Sequence, residues 1–204
     1  MMKKKLTALF LTLVMCMTLC VPALAYSTFG YHLKGTWFGE YYYVDNRSDG
    51  YGVLSDAAVD AWNEAVEFQG ENTLDIDLIE TTNGDSKKTR VVISPLDRGA
   101  DGYLGFAYYY DVNPFGEWTC INYGGYPNQN YQSGSAVINR YYTDSLSDAK
   151  TQNVMMHEIG HILGLAHSSA GSDDGSLMYK GISSVSNLRE PQTDDISGVR
   201  DIYE

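Results

Sequence analysis

Residues 155–167 read Met155-Met156-His157-Glu158-Ile159-Gly160-His161-Ile162-Leu163-Gly164-Leu165-Ala166-His167, and the rest of the chain takes its meaning from them. On an α-helix, residues four apart stand one turn apart on the same face. His157 and His161 therefore bring two imidazoles within reach of one metal ion. Glu158 lies about 100° further round the helix, close enough to touch a water at that ion without ligating it. Met155, Met156, Ile159, Ile162 and Leu163 fall on the far side and form an apolar stripe that belongs in a core. Gly164 ends the helix, because glycine readily takes the left-handed conformation of a sharp turn. The turned chain returns His167 as a third ligand. Three imidazole nitrogens and one water make a tetrahedral catalytic zinc site with an open position, whereas structural zinc usually has four protein ligands. Chance would place this set at these spacings in about one chain in a hundred thousand of this composition. Three of the four histidines in the chain lie in this one segment.

Working outward, a helix is expected from about Ser147 to Leu163, and a last helix from near Thr193, with Thr193 as cap and Asp194 and Asp195 favourable at its positive end. Upstream, Tyr41-Tyr42-Tyr43-Val44 reads as a strand. Leu54 to Phe68 reads as a helix capped by Ser55 or Asp56, with Ala58, Val59, Trp62 and Val66 at helical spacing. Leu74 to Ile79 alternates as a half-buried strand. Thr89 to Ser94, Tyr103 to Tyr110 and Ser135 to Asn139 read as further strands, the second of them a third or edge strand. Loops rich in Gly, Asp and Asn separate them. Strands thus dominate the first two thirds and helices the last, an α+β arrangement. The 17 tyrosines are accounted for by strand propensity.

The first 25 residues stand apart. Lys3 to Lys5 make a basic start, Leu6 to Val21 is apolar, and Ala23-Leu24-Ala25 is a small-residue cleavage site, the layout of a secretory signal peptide. A membrane anchor competes, but the apolar run is short of the roughly 20 residues a spanning helix needs. A lipid anchor on Cys20 fits less well, because Met17-Thr18-Leu19 is not a lipobox. Residues 26–204 then form one domain, expected to be secreted, extracellular and monomeric. The whole chain carries a net charge of −12, and the leader holds lysines but no acids, so the remainder is more acidic still. That balance argues against nucleic acid or an anionic membrane as partner. Cys120 is the one cysteine beyond the leader. It has no partner for an internal disulfide and is expected to be a small buried apolar residue.

The run His157-Glu158…His161…Gly164…His167 resembles the metzincin metallopeptidases. Ser176-Leu177-Met178-Tyr179 looks like their methionine turn, with Met178 as the apolar floor under the metal. Within the metzincins the likeness is to the matrixins, the matrix-metalloproteinase type. The serine after His167, the Leu-Met-Tyr turn, the stretch Asp194 to Tyr203 and the opening Leu33-Lys34-Gly35-Thr36-Trp37 carry it. The resemblance implies a zincin-like catalytic domain over 26–204: a twisted mixed sheet, an active-site helix, a methionine turn and a C-terminal helix. It implies a zinc-dependent endopeptidase with one catalytic ion, Glu158 as general base, and a protein or peptide substrate. The substrate strand is expected to lie along the edge at Gly105, Phe106 and Ala107.

Departures from the matrixin pattern shape the remaining expectations. A propeptide with a cysteine switch is not expected, nor is a haemopexin-like domain. With only His32 outside the motif, the second, structural zinc of animal matrixins is not expected either. The Asp and Gly content of 97–111 is compatible with calcium. The gap from His167 to Met178 looks longer than usual, and Lys180 stands where matrixins usually have proline. Two other readings share the sequence. One is a non-catalytic secreted zinc-containing binding module, which leaves Glu158 without a purpose. The other is a narrow processing peptidase with a single protein partner.

Overall fold

The computed structural model describes residues 26–35, 40–45, 50–67, 78–84, 88–123, 125–168, 176–180 and 187–203. The expected signal peptide, the Leu74 to Asp77 part of an expected strand, and Phe68 lie outside the described residues.

A six-stranded mixed sheet forms the centre. Its strands are β2 (Glu40–Val44), β3 (Leu78–Glu80), β4 (Thr89–Leu96), β5 (Gly105–Val112), β6 (Trp118–Cys120) and β9 (Ser133–Asn139), in the order β3-β2-β4-β9-β5-β6. The first four neighbours run parallel, while β5 is antiparallel to both β9 and β6. All seven residues of β9 are buried and β4 is nearly so, as expected for parallel strands covered on both faces. Smaller pairings join β1 (Ser27–Thr28) to β10 (Leu165–Ala166), and β7 (Asn122–Tyr123) to β8 (Tyr126–Pro127).

Four helices complete the described fold: α1 (Tyr51–Glu67), α2 (Arg140–Thr143), α3 (Asp148–Ile162) and α4 (Thr193–Tyr203). The core joins the sheet to the inner faces of α1 and α3. Ala58, Val59 and Trp62 of α1 and Met155, Met156, Ile159 and Ile162 of α3 are fully buried there, followed by Leu163. The Trp62 indole donates to Met156 O at 3.0 Å, so the largest core side chain also satisfies its one polar atom.

Helix α1 begins at Tyr51, three residues before the expected Leu54, and Ser55 and Asp56 are not its caps. Ser55 Oγ donates back to Tyr51 O at 2.7 Å inside the helix. Asp56 accepts from the Tyr42 hydroxyl at 2.6 Å and ties α1 to β2. The extra turn forms because the Tyr51 ring is buried and its hydroxyl reaches Thr143 and Asp144 of the α2 end, at 2.7 and 2.6 Å. Helix α3 starts after Ser147 and ends at Leu163, as its periodicity predicts. Cys120 corrects another expectation: it lies exposed on β6, the strand at the end of the described sheet order, two of whose three residues are exposed.

Candidate metal centre

The site is built from one helix and two turns. His157 and His161 project from successive turns of α3, with ring centroids 4.7 Å apart. Gly164, at φ 103°, reverses the chain after α3. A Cβ there would stand 3.0 Å from Tyr31 O and 3.1 Å from the Ile202 side chain, so the turn needs glycine for space as well as for conformation. The reversed chain carries His167 back to ring distances of 5.3 Å from His157 and 4.7 Å from His161.

The donor atoms of His157, His161 and His167 all lie within 4.8 Å of one another, the one such group of three or more among the described residues. The Nε2 atoms of His161 and His167 are 3.3 Å apart. Two ligands on a tetrahedral zinc at about 2.0–2.1 Å would be separated by nearly that distance. The outer nitrogens are occupied elsewhere. His157 Nδ1 lies 2.7 Å from Leu177 O, and His161 Nδ1 lies 2.8 Å from Leu165 O. A carbonyl only accepts, so each Nδ1 carries the proton and each Nε2 turns a lone pair to the centre. This donor set fits zinc.

Burial holds the rings in that state. It depresses the basicity of His157, and that of His161 further, with the neighbouring imidazoles adding to the effect. His167 falls to about 4, through burial first and the charge of His157 second. All three are therefore neutral near pH 7, which metal ligation requires. Glu158 is 6% exposed, and burial raises its carboxyl to about 8. It lies against β5: a Cβ on Gly105 would come within 2.7 Å of its Cγ and Oε1. The expected edge residue Gly105 and the expected base Glu158 are thus in contact.

Met178 is buried against α3, 2% exposed. Its Sδ would be 2.5 Å from a Cβ at position 160, so Gly160, between His157 and His161 in the chain, admits the thioether against the helix. The turn that carries Met178 is held by a residue whose role the sequence did not disclose. Buried Asp195, on the first turn of α4, accepts from Ser176 Oγ at 3.1 Å, Leu177 N at 3.0 Å and Met178 N at 3.3 Å. It also accepts from Gln192 N at 2.8 Å, closing the start of its own helix. Leu177 is the residue whose carbonyl orients His157. One carboxylate therefore holds the turn that carries Met178 and, through Leu177, the carbonyl that meets His157. Ser168 N, next to His167, donates to Met178 O at 2.9 Å and fixes the third arm to the same turn.

Two tyrosines were also missed. The Tyr131 hydroxyl donates to Ile162 O at 2.7 Å and the Tyr203 hydroxyl to Leu163 O at 3.0 Å. They satisfy carbonyls that the end of α3 leaves without intrahelical partners. His32 faces elsewhere, with Nδ1 2.7 Å from Leu33 O and its other nitrogen 3.1 Å from the Asn130 amide. In the 97–111 region Asp97 accepts from Gly99 N, Asp101 from Arg98, Tyr103 N and Asn139, and Asp111 from Lys34 and Gln129.

The family model of the matrixins, peptidase family M10, matches residues 55–204. This chain belongs to the matrixin family. It is therefore a metallopeptidase-family domain in which the histidine trio fits the metal position. A matrixin relative, the interstitial collagenase of Bos taurus, is 40% identical over 63 residues, which is 31% of this chain and 13% of that protein. The matched part is thus a small share of the relative's length. Among solved structures, the GM1 bound form of the ECX AB5 holotoxin is similar with a TM-score of 0.47 and 17% identity, covering 79% of this chain and 78% of that one. The mixed sheet and C-terminal helix of the matrixin agree with the zincin-like fold expected from the motif.

Proposed function

We propose that this matrixin is an exported zinc-dependent endopeptidase, with residues 1–25 as its signal peptide and Glu158 as its general base. The observation that carries the reading is the pairing of three neutral imidazoles, two of them oriented through Nδ1 by backbone carbonyls, with the buried carboxyl of Glu158 beside them. His157, His161 and His167 would hold the ion through Nε2. When bound, zinc supplies Lewis acidity toward a water and a peptide carbonyl.

The residues of the chain perform the rest. With the ion bound, its positive charge would favour the ionised carboxyl, and Glu158 then accepts a proton from the attacking water as the water oxygen joins the carbonyl carbon. The same carboxyl then gives that proton to the departing amine nitrogen as the C–N bond breaks, and so returns to its starting state. Gly105 leaves Glu158 room beside β5, and the neighbouring edge offers an extended peptide backbone groups to pair with. Met178 packs against α3 at Gly160, between the two helix-borne ligands in the chain. No helix among the described residues is long and apolar enough to cross a membrane.

The test is cleavage of denatured casein by protein spanning 26–204, with zinc content measured on the same sample. The parent should bind one zinc per chain and lose activity in chelator. Glu158→Gln should retain the zinc and lose activity by a factor of about 10² or more. Parent-like turnover in Glu158→Gln would remove that residue from its role.

A further inference from the structure

The edge of β5 beside Glu158 is only partly open. Asn139 N donates to Leu104 O at 2.8 Å, which puts the backbone groups of the even-numbered residues of β5 toward β9. Tyr109 O, facing the other way, receives Ile121 N at 2.9 Å. The odd-numbered residues Gly105, Ala107, Tyr109 and Asp111 therefore point outward. From Tyr110 onward β6 covers that side, with Tyr110 opposite Cys120 and Val112 opposite Trp118. A peptide added as a strand has only the stretch around Gly105 and Ala107 to use.

Asn122 reaches into that stretch. Its Oδ1 accepts from Tyr109 N at 2.7 Å, and its Nδ2 donates to Ala107 O at 3.2 Å. Only one orientation of the amide satisfies both partners. The side chain thus stands where a peptide group of a neighbouring strand would, and it occupies both backbone atoms such a group would use. Its backbone is braced by the β7–β8 pairing, in which Asn122 lies opposite Pro127. The Tyr126 ring of that pairing packs 5.4 Å from Phe29, which itself lies 5.6 Å from the His161 ring. Among the described residues, no hydrogen bond reaches the outward N–H and C=O of Gly105.

We propose that Asn122 is a specificity-determining residue that closes the peptide-pairing edge of β5 beyond Gly105. On that side of the scissile bond, an extended substrate pairs its backbone at Gly105 and then meets the Asn122 carboxamide in place of Ala107 O. Recognition further out on that side rests on side chains, not on main-chain pairing. The inference builds on the peptidase reading and adds to it a limit on useful substrate length.

The experiment measures kcat/KM for a series of peptides lengthened one residue at a time at either end, with zinc-loaded 26–204. In the parent, lengthening on one side should stop raising kcat/KM within about one residue of the position that pairs with Gly105, while the other side continues. In Asn122→Ala, and in Asn122→Asp, which keeps the acceptor for Tyr109 N but lacks the donor to Ala107 O, the long-to-short ratio on that side should rise about two- to ten-fold. That is the worth of one net hydrogen bond. A parent that gains equally on both sides, or variants that leave the ratio unchanged, overturns the proposal. Hydrogen exchange gives a readout free of catalysis. The Tyr109 amide should be protected in the parent and exposed in Asn122→Ala, and rapid exchange in the parent also overturns it. A parent with a protected Tyr109 amide that cleaves none of the peptides overturns the peptidase reading itself, and this inference falls with it.

Discussion

Glu158 and His167 titrate in opposite senses, and the metal-free protein should show it. The His167 imidazole is depressed to about 4 from an ordinary 6.5. The unfolded chain therefore binds more protons between those values, and stability is lost as pH falls through that window. Glu158 is raised to about 8 from 4.5. Here the folded chain holds a proton the unfolded chain has released, so stability is lost as pH rises from about 4.5 to 8. Glu158→Gln removes the second loss alone. In chelator, its melting temperature relative to the parent should climb steadily from pH 5 to 8.5, and a constant difference would show that the carboxyl is not held by burial. Asp195 supports a second residue-level expectation. Asp195→Ala strips the acceptor from Leu177 N and Gln192 N, buried and partly buried, while Met178 N keeps Ser176 Oγ at 3.2 Å. Leaving buried donors unpaired costs about 1–3 kcal/mol apiece before relaxation. Displacing Leu177 O from His157 should also weaken zinc about ten- to a hundred-fold. Chelator competition with Asp195→Ala and Asp195→Asn would measure that loss, and unchanged affinity in both would detach Asp195 from the site.

The elements that matter most are α3 and the turn after it. The helix is buried on nearly every side from Thr151 to Ile162, its polar Thr151, Gln152 and Asn153 included, and His157 is half-buried. Its end is held from outside: Tyr131 from beside β9 and Tyr203 from α4 donate hydroxyls to its last carbonyls. Gly164 then turns the chain at φ 103° with Tyr31 O pressed close. Gly164→Ala meets both the left-handed strain and the contact, and should lower stability by about 1–3 kcal/mol. It should also move His167 and weaken zinc binding. Thermal melts in chelator separate the stability loss from the metal loss, and a fully parent-like variant would mean that the turn is not strained.

At the scale of the whole molecule, the three metal ligands come from the single stretch 157–167, which Asp195 of α4 and Tyr131 hold in place from far along the chain. A ligand that binds only the folded state stabilises it by RT ln(1 + [L]/Kd), about 2.7 kcal/mol at a hundredfold excess over Kd. Chelation should therefore lower the melting temperature of the parent and zinc should restore it. His167→Ala should melt near the chelated parent and respond little to zinc. A parent indifferent to chelator would deny the trio its metal.

The sequence by itself determined the family, the spacing of the histidine trio and the local elements. Ligand spacing on a helix, the glycine stop and the apolar stripe all depend on positions within thirteen residues, where helical geometry decides what faces what. Strand character in 41–44, 89–94 and 135–139 was legible for the same reason, since alternation and β-branching act locally. Only the tertiary structure decided which strands are neighbours and how much of β5 is a free edge. It also decided that Asp195 holds the methionine turn, that Tyr131 and Tyr203 close α3, and that Tyr51 draws α1 one turn longer than its cap residues suggested. Each of these rests on one polar atom finding a partner many residues away. Such pairings follow from three-dimensional proximity and the need to satisfy buried donors and acceptors, and no period or spacing in the chain records them.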